Sequence, residues 1–162
     1  MSDDIYVVKA NTIAAMEGLS KTHFLNPNAK RMNKSLGDLV GLQGIGVHLI
    51  EIEPGDETTE YHVHHHEDEA VYVLEGEGMA VIGDREHAIG PGDFIGYRKG
   101  GHAHTIHNTG SAVLCCLVVG ERSAHDVTDY PHQAKRLYRN VGLPWNLVNQ
   151  NSIRDVNAGG KK

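Results

Sequence analysis

The chain has 162 residues, 40% of them apolar, and a net charge of −6 with its histidines neutral. That length suits one domain whose core needs neither disulfide nor structural metal. The acidic balance argues against sequence-independent nucleic-acid binding, which needs a basic face, and no apolar run approaches the ~20 residues of a membrane span.

The opening MSDDIYVVKA lacks the basic and apolar regions of a signal peptide. Residues 5–8 (IYVV) read as a short strand. Residues 11–18 read as a helical turn capped by Asn11 or Thr12 and ended by Gly18, and 24–35 as an exposed loop. Residues 1–44 are therefore expected to form an N-terminal arm packed on the main body. From 45 the pattern turns β-rich. IGVHLIEIE (45–53) ends in the turn residues PGDE, and EAVYVLEGEG (69–78) ends at glycines. MAVIG and HAIG flank DRE as a hairpin, DFIGYR (93–98) is a short strand, and HAHTIHN (102–108) precedes AVLCCLVVG (112–120). Short strands with frequent turns and no helical period predict an all-β sandwich or small barrel over 45–120.

After Gly120 the strand signal stops. Residues 121–156 are expected to form a C-terminal arm on the barrel or on a partner subunit, with Tyr130, Leu137 and Trp145 among its apolar anchors. Residues 157–162 (NAGGKK) are expected to be disordered. Cys115 and Cys116 are adjacent, so on a strand they point to opposite faces, and a reduced pair in a cytoplasmic protein is the expectation.

The histidines gather at 62–66 and 102–107. In YHVHHHEDE, His62 and His64 share a strand face, and His65 takes the other. Such a pair presents two imidazoles to one ion. Glu69 opens the next strand and can return its carboxylate to the same point. A fourth ligand must come from elsewhere, and HAHTIHN offers candidates: His102 and His104 share a face, whereas His104 and His107 cannot both face one metal. His65 and His66 are better explained as solvated turn residues, although a set shifted to His64 and His66 is a further option.

These residues resemble the two motifs of the cupin superfamily. Gly55, His62, His64, Glu69 and Gly76 follow the first motif, with one extra residue between Gly55 and His62. Gly92, Gly101, His104 and Asn108 follow the second, with Lys99 where proline is usual and one residue inserted before it. The resemblance covers about residues 40–120. It implies a double-stranded β-helix, or jelly-roll barrel, with a metal held inside by His62, His64, Glu69 and His104. The segment VVGERSAHDVTDYP also resembles a single-domain cupin subgroup, some of whose members are labelled sugar-phosphate isomerases.

Three imidazoles and one carboxylate suit a divalent transition metal: Zn, Fe, Mn, Ni or Cu. Open coordination positions would allow Lewis-acid catalysis. By parity, Glu69, Val71, Val73 and Glu75 face inward. His48 and His102 are candidates for orienting a ligand or acting as a base, although His48 also suits a satisfied buried histidine. Tyr97 and Arg98 are candidates for the cavity mouth, with Arg98 able to hold an anionic group. The expected function is isomerisation or epimerisation of a sugar or sugar phosphate. Iron- or copper-dependent dioxygenation and non-catalytic binding of a small ligand are the alternatives. The sequence shows no cluster of Lys and Arg for a phosphate. A homodimer is expected, because terminal arms commonly cover the open edges of small jelly rolls.

Overall fold

Residues 5–156 are described by a computed structural model. In chain order the elements are α1 (Ala10–Ala15), β1 (Leu19–His23), β2 (Asn26–Ser35), α2 (Leu36–Leu39) and β3 (Ile45–Ile52). Next come β4 (Val63–His64), β5 (Glu69–Glu75), β6 (Gly78–Ile82), β7 (Arg85–Ile89), β8 (Phe94–Tyr97), β9 (His104–His107) and β10 (Leu114–Glu121). The last strands are β11 (His125–Tyr130), β12 (Lys135–Asn140) and β13 (Asn146–Asn149).

Antiparallel ladders join them into a six-stranded sheet, β1-β2-β3-β10-β5-β8, a four-stranded sheet, β13-β12-β11-β4, and a three-stranded sheet, β7-β6-β9. This is the all-β jelly-roll architecture the sequence predicts. Period-two burial shows why these residues make strands. Ile50 and Ile52 of β3, Val71 and Val73 of β5, Ile95 and Tyr97 of β8, and Leu114 and Cys116 of β10 are all buried. They form one core cluster with Ala80 and Ile106 from the three-stranded sheet. Each fully buried aliphatic side chain contributes about 1.5–3 kcal/mol. The hairpin of β6 and β7 turns at Gly83 and Asp84, with Gly83 at φ 62°. Gly76 has φ 80°, and a Cβ there would collide with the carbonyl of Val113. Only glycine fits that crossing.

Several local expectations are corrected. Residues 5–8 form no strand; Ile5, Tyr6 and Val7 are exposed and have no pairing partner. The helical turn is α1, with Lys9 at its N-cap and no side-chain cap bond, so neither Asn11 nor Thr12 caps it. The proposed loop 24–35 is mostly β2, which pairs with β1 on one side and β3 on the other. Its inward positions include Ala29 and Asn33, too polar a pattern to read as a strand. Glu75 is exposed, because the register of β5 against β10 shifts beside Cys115. Beyond Gly120 the chain is largely strand: β11 pairs with β12 and with β4, and β12 with β13. The buried positions of β11 are Asp126, Thr128 and Tyr130, so no apolar alternation marks it. The proposed tail at 157–162 lies outside the described residues. Among the described residues no helix is long and apolar enough to cross a membrane.

Candidate metal centre

The inner face of the six-stranded sheet is apolar in its middle and polar toward one end of the barrel. There, a cavity of about 450 Å³ opens between the sheets. His62, His64, Glu69 and His104 all border it. His62 and His104 are brought opposite each other by an isolated antiparallel bridge, with N–H···O distances of 3.1 and 2.8 Å in the two directions. His64 follows His62 by two residues and projects to the same side. Glu69 starts β5, opposite Gly120 of β10 and Tyr97 of β8.

All three imidazoles are tied from behind. His62 Nδ1 lies 2.9 Å from the carbonyl of Glu60, His104 Nδ1 3.2 Å from that of His102, and His64 Nδ1 2.6 Å from Asp126 Oδ2. These acceptors hold the ring proton on Nδ1 and leave each Nε2 with its lone pair free. The Nε2 atoms of His62 and His64 meet at 3.2 Å, and His104 joins them through Glu69, its Nε2 facing Glu69 Oε1 at 3.8 Å. Ligand atoms of His62, His64 and Glu69 all lie within 4.8 Å of one another. The Nε2 of His104 is buried without a hydrogen-bond partner among the described residues. Converging bare lone pairs repel each other unless a cation sits among them, so the donor set fits a divalent transition metal.

The electrostatics of His62 and Glu69 agree. Burial, reinforced by the neighbouring His104 and His64, pulls His62 down to about 3, so it is neutral near pH 7. Burial opposes the ionisation of Glu69, but His104 and the other imidazoles outweigh it and hold the carboxyl at about 2. Burial also lowers His64, but its hydrogen bond to Asp126 and the surrounding carboxylates reverse the net shift upward.

The residues that tether His64 are not among the sequence candidates. Asp126 is buried; it also accepts from Thr128 Oγ1 at 3.0 Å and from the backbone N–H of His66 at 3.1 Å. Glu67 accepts from the Ser123 N–H at 2.7 Å and pairs with Arg139. His64, Glu67 and Asp126 are close enough to resemble a second ion site. Arg139 already neutralises that cluster, pairing with Glu67 and lying 3.7 Å from Asp126. Its effect is to orient His64.

The other candidates are distributed unevenly. Tyr97 lies inside the cavity and not at its mouth. Its ring stacks on His104 with centroids 3.5 Å apart and planes 3° from parallel. Its hydroxyl is buried with no partner among the described residues, and burial together with the charge of Glu69 pushes its pKa up, so it remains a donor. His48 borders the cavity; Ser35 Oγ and Asn33 Nδ2 hold its Nδ1 at 3.1 and 3.3 Å. His102 is exposed and packs beside Gly83; only its carbonyl reaches the site. The parity linking it to His104 fails because β9 begins at His104. Arg98 is exposed and borders a separate depression beside Asp68 and Glu121. His65 is half-buried and pairs with Asp129 at 2.9 Å, while His66 is exposed. Asn108 closes a turn: its Nδ2 donates to the carbonyls of Ile52 and Ala112 at 2.7 and 2.9 Å.

Comparison with known proteins gives a consistent picture. Residues 48–120 match the family model described as Cupin domain. A solved structure from Acidithiobacillus ferrooxidans, named provisionally as a sugar phosphate isomerase, is 53% identical with a TM-score of 0.90. The match covers 94% of this chain and 97% of that one. A cupin-superfamily sugar phosphate isomerase from Silicibacter pomeroyi is 26% identical with a TM-score of 0.76, over 86% of this chain and 91% of that one. A cupin 2 domain-containing protein from Halorhodospira halophila is 25% identical with a TM-score of 0.52, over 57% of this chain and 65% of its own. No curated protein matches the sequence.

Proposed function

Because the chain belongs to the cupin superfamily, we propose that it is a metal-dependent enzyme acting on a small polar metabolite, by isomerisation or epimerisation of a sugar or sugar phosphate. The observation that carries this reading is the gathering of the His62 and His64 imidazoles and the Glu69 carboxylate within 4.8 Å, with His104 Nε2 3.8 Å from Glu69 Oε1, in a cavity that opens between the sheets. The names of the relatives from Acidithiobacillus ferrooxidans and Silicibacter pomeroyi support the substrate class. The cavity's ~450 Å³ falls within the usual range of small-molecule sites.

His62, His64, Glu69 and His104 would hold one divalent transition metal. Bound there, it would supply Lewis-acid polarisation of a substrate oxygen. The Tyr97 hydroxyl is a protonated donor with no other partner, suited to a substrate oxygen near His104. Burial and the nearby Lys21 and Arg122 lower the pKa of His48, which favours a neutral ring; with Nδ1 accepting from Asn33 Nδ2, its Nε2–H is left as a donor. The apolar wall of Val71 and Val118 lowers the local dielectric and strengthens these interactions. A homodimer is part of the same reading. Tyr72 and Phe94 are directly paired across β5 and β8 on the outer face, and both are exposed.

The test is elemental analysis of the untagged protein beside a His64→Ala, His104→Ala double variant. The expected result is one equivalent of metal, lost in the variant. Zinc, manganese or nickel leads to sugar-phosphate isomerase assays, and iron or copper to oxygen-uptake assays. Metal content unchanged by the double substitution would overturn the ligand set.

A further inference from the structure

The cavity has a second chemical pole, remote in sequence from the four proposed ligands. The antiparallel ladder of β1 and β2 sets Lys21 directly opposite Arg31. Both side chains border the cavity. Like charges directly opposite on a ladder are destabilising. Among the described residues, neither Lys21 nor Arg31 has a carboxylate partner within ion-pair distance. Arg31 donates through one terminal nitrogen to the carbonyl of Thr58, while its Nε is buried with no partner. A half-buried guanidinium whose buried Nε is an unused donor needs an acceptor to offset its desolvation.

The floor beside this pair is shaped for an approach. Gly46 of β3 and Gly120 of β10 face each other across their ladder. A Cβ on Gly46 would lie 2.9 Å from His48 Nε2 and 3.1 Å from Arg122 Nε. Arg122 pairs with Asp38 through its terminal nitrogen at 2.6 Å, which leaves Nε on the cavity side beside His48. Most acidic groups around the cavity are engaged elsewhere, although the charge of Glu69 also reaches Arg31. Glu67 is held by Arg139, Glu121 by Lys99 at 3.4 Å, and Glu69 faces the imidazoles.

We propose that Lys21, Arg31 and Arg122 form an anion-binding pole that takes the phosphate group of a phosphorylated metabolite. The proposal rests on the reading of this cavity as a substrate site, and it narrows the substrate to a phosphate monoester. Three strand spacings separate β2 from β5, the strand that carries Glu69. At ~4.8 Å each, that distance is bridged by a sugar chain together with the reach of an arginine. The phosphate would be held at one pole while the carbon skeleton reaches the imidazoles. No cluster of Lys and Arg marks this pole in the sequence, because ladder register brings Lys21 and Arg31 together from separate strands.

The experiment is calorimetric titration in phosphate-free buffer, with inorganic phosphate, D-ribose 5-phosphate, D-ribose and acetate as probes. The proteins are the wild type and the Lys21→Met, Arg31→Met and Arg31→Lys variants, each with its metal content measured. Wild-type protein should bind both phosphates. Lys21→Met and Arg31→Met should each weaken them tenfold or more, Arg31→Lys should retain part of the affinity, and metal content should not change. Ligand-free Lys21→Met should also melt a few degrees higher, because it removes the facing charge. Phosphate affinity equal in wild type and variants, no phosphate binding by the wild type, or equally tight acetate binding would each overturn the proposal. Phosphate binding that depends on Lys21 and Arg31 in a protein that holds no metal would uphold the pole and remove the metal reading instead.

Discussion

Asp126 Oδ2 sits 2.6 Å from Nδ1 of His64, although the two residues are 62 positions apart in the chain. The carboxylate fixes the tautomer of the ring and raises the basicity of its Nε2. Asp126→Asn keeps the shape and removes the charge. Metal affinity should fall about 10- to 100-fold, as is typical when such an outer partner is lost. Competition against a chromogenic chelator measures it; unchanged affinity would show that Asp126 serves packing alone.

Tyr97→Phe separates two roles. The stack on His104 survives, and a buried hydroxyl without a partner is removed. Thermal stability should hold or rise by up to about 1 kcal/mol. Metal content should be unchanged, while turnover of a phosphorylated sugar drops. A variant with full turnover would remove the hydroxyl from the reaction.

Acid stability should depend on Asp129. Arg136 donates to it twice, at 2.6 and 2.8 Å, and this pair outweighs burial to hold the carboxyl at about 2, against an ordinary 3.8. A depressed carboxyl stabilises the fold above its unfolded pKa, and the contribution fades as pH falls from about 3.8 through 2. Arg136→Met should therefore lose up to about 1 kcal/mol at neutral pH, since the pair is partly exposed and His65 also holds Asp129. Its deficit against wild type should narrow as pH drops across that window. Denaturant titrations at several pH values give the comparison, and a deficit independent of pH would assign the loss to packing.

Phe94 is 70% exposed on the outer face of the six-stranded sheet, opposite Tyr72, which is 43% exposed. If this patch is the dimer contact, Phe94→Asp should convert the protein to a monomer with its metal content intact. Light scattering after size exclusion reads the mass directly. A dimer that persists in the variant would move the interface elsewhere.

The site was only partly legible in the sequence, and the reasons are physical. His62 and His64 are two apart, so strand parity puts both imidazoles on one face, and the short turn to β5 lets Glu69 return to them. The core strands were readable because Val71, Val73, Leu114 and Cys116 alternate with partly or fully exposed residues. β11 was hidden because its inward side chains are Asp126, Thr128 and Tyr130, which read as a solvated segment. β2 was hidden for the same reason, with Arg31 and Asn33 turned toward the cavity. Where strands line a polar cavity, burial selects polar residues and the hydrophobic pattern that reveals a strand disappears. His102 illustrates the opposite error: parity was extended into residues that are not strand.

The ligands and their orienting groups also differ in when they become available. His62, His64, Glu69 and His104 all precede Asp126 and Arg139 in the chain. During synthesis the four proposed ligands therefore leave the ribosome before the carboxylate and guanidinium that order His64. Until β11 docks on β4, the imidazole of His64 is free to rotate, and a nascent barrel would capture metal weakly and with little selectivity. If these residues hold a metal, its tight loading would wait on the docking of β11.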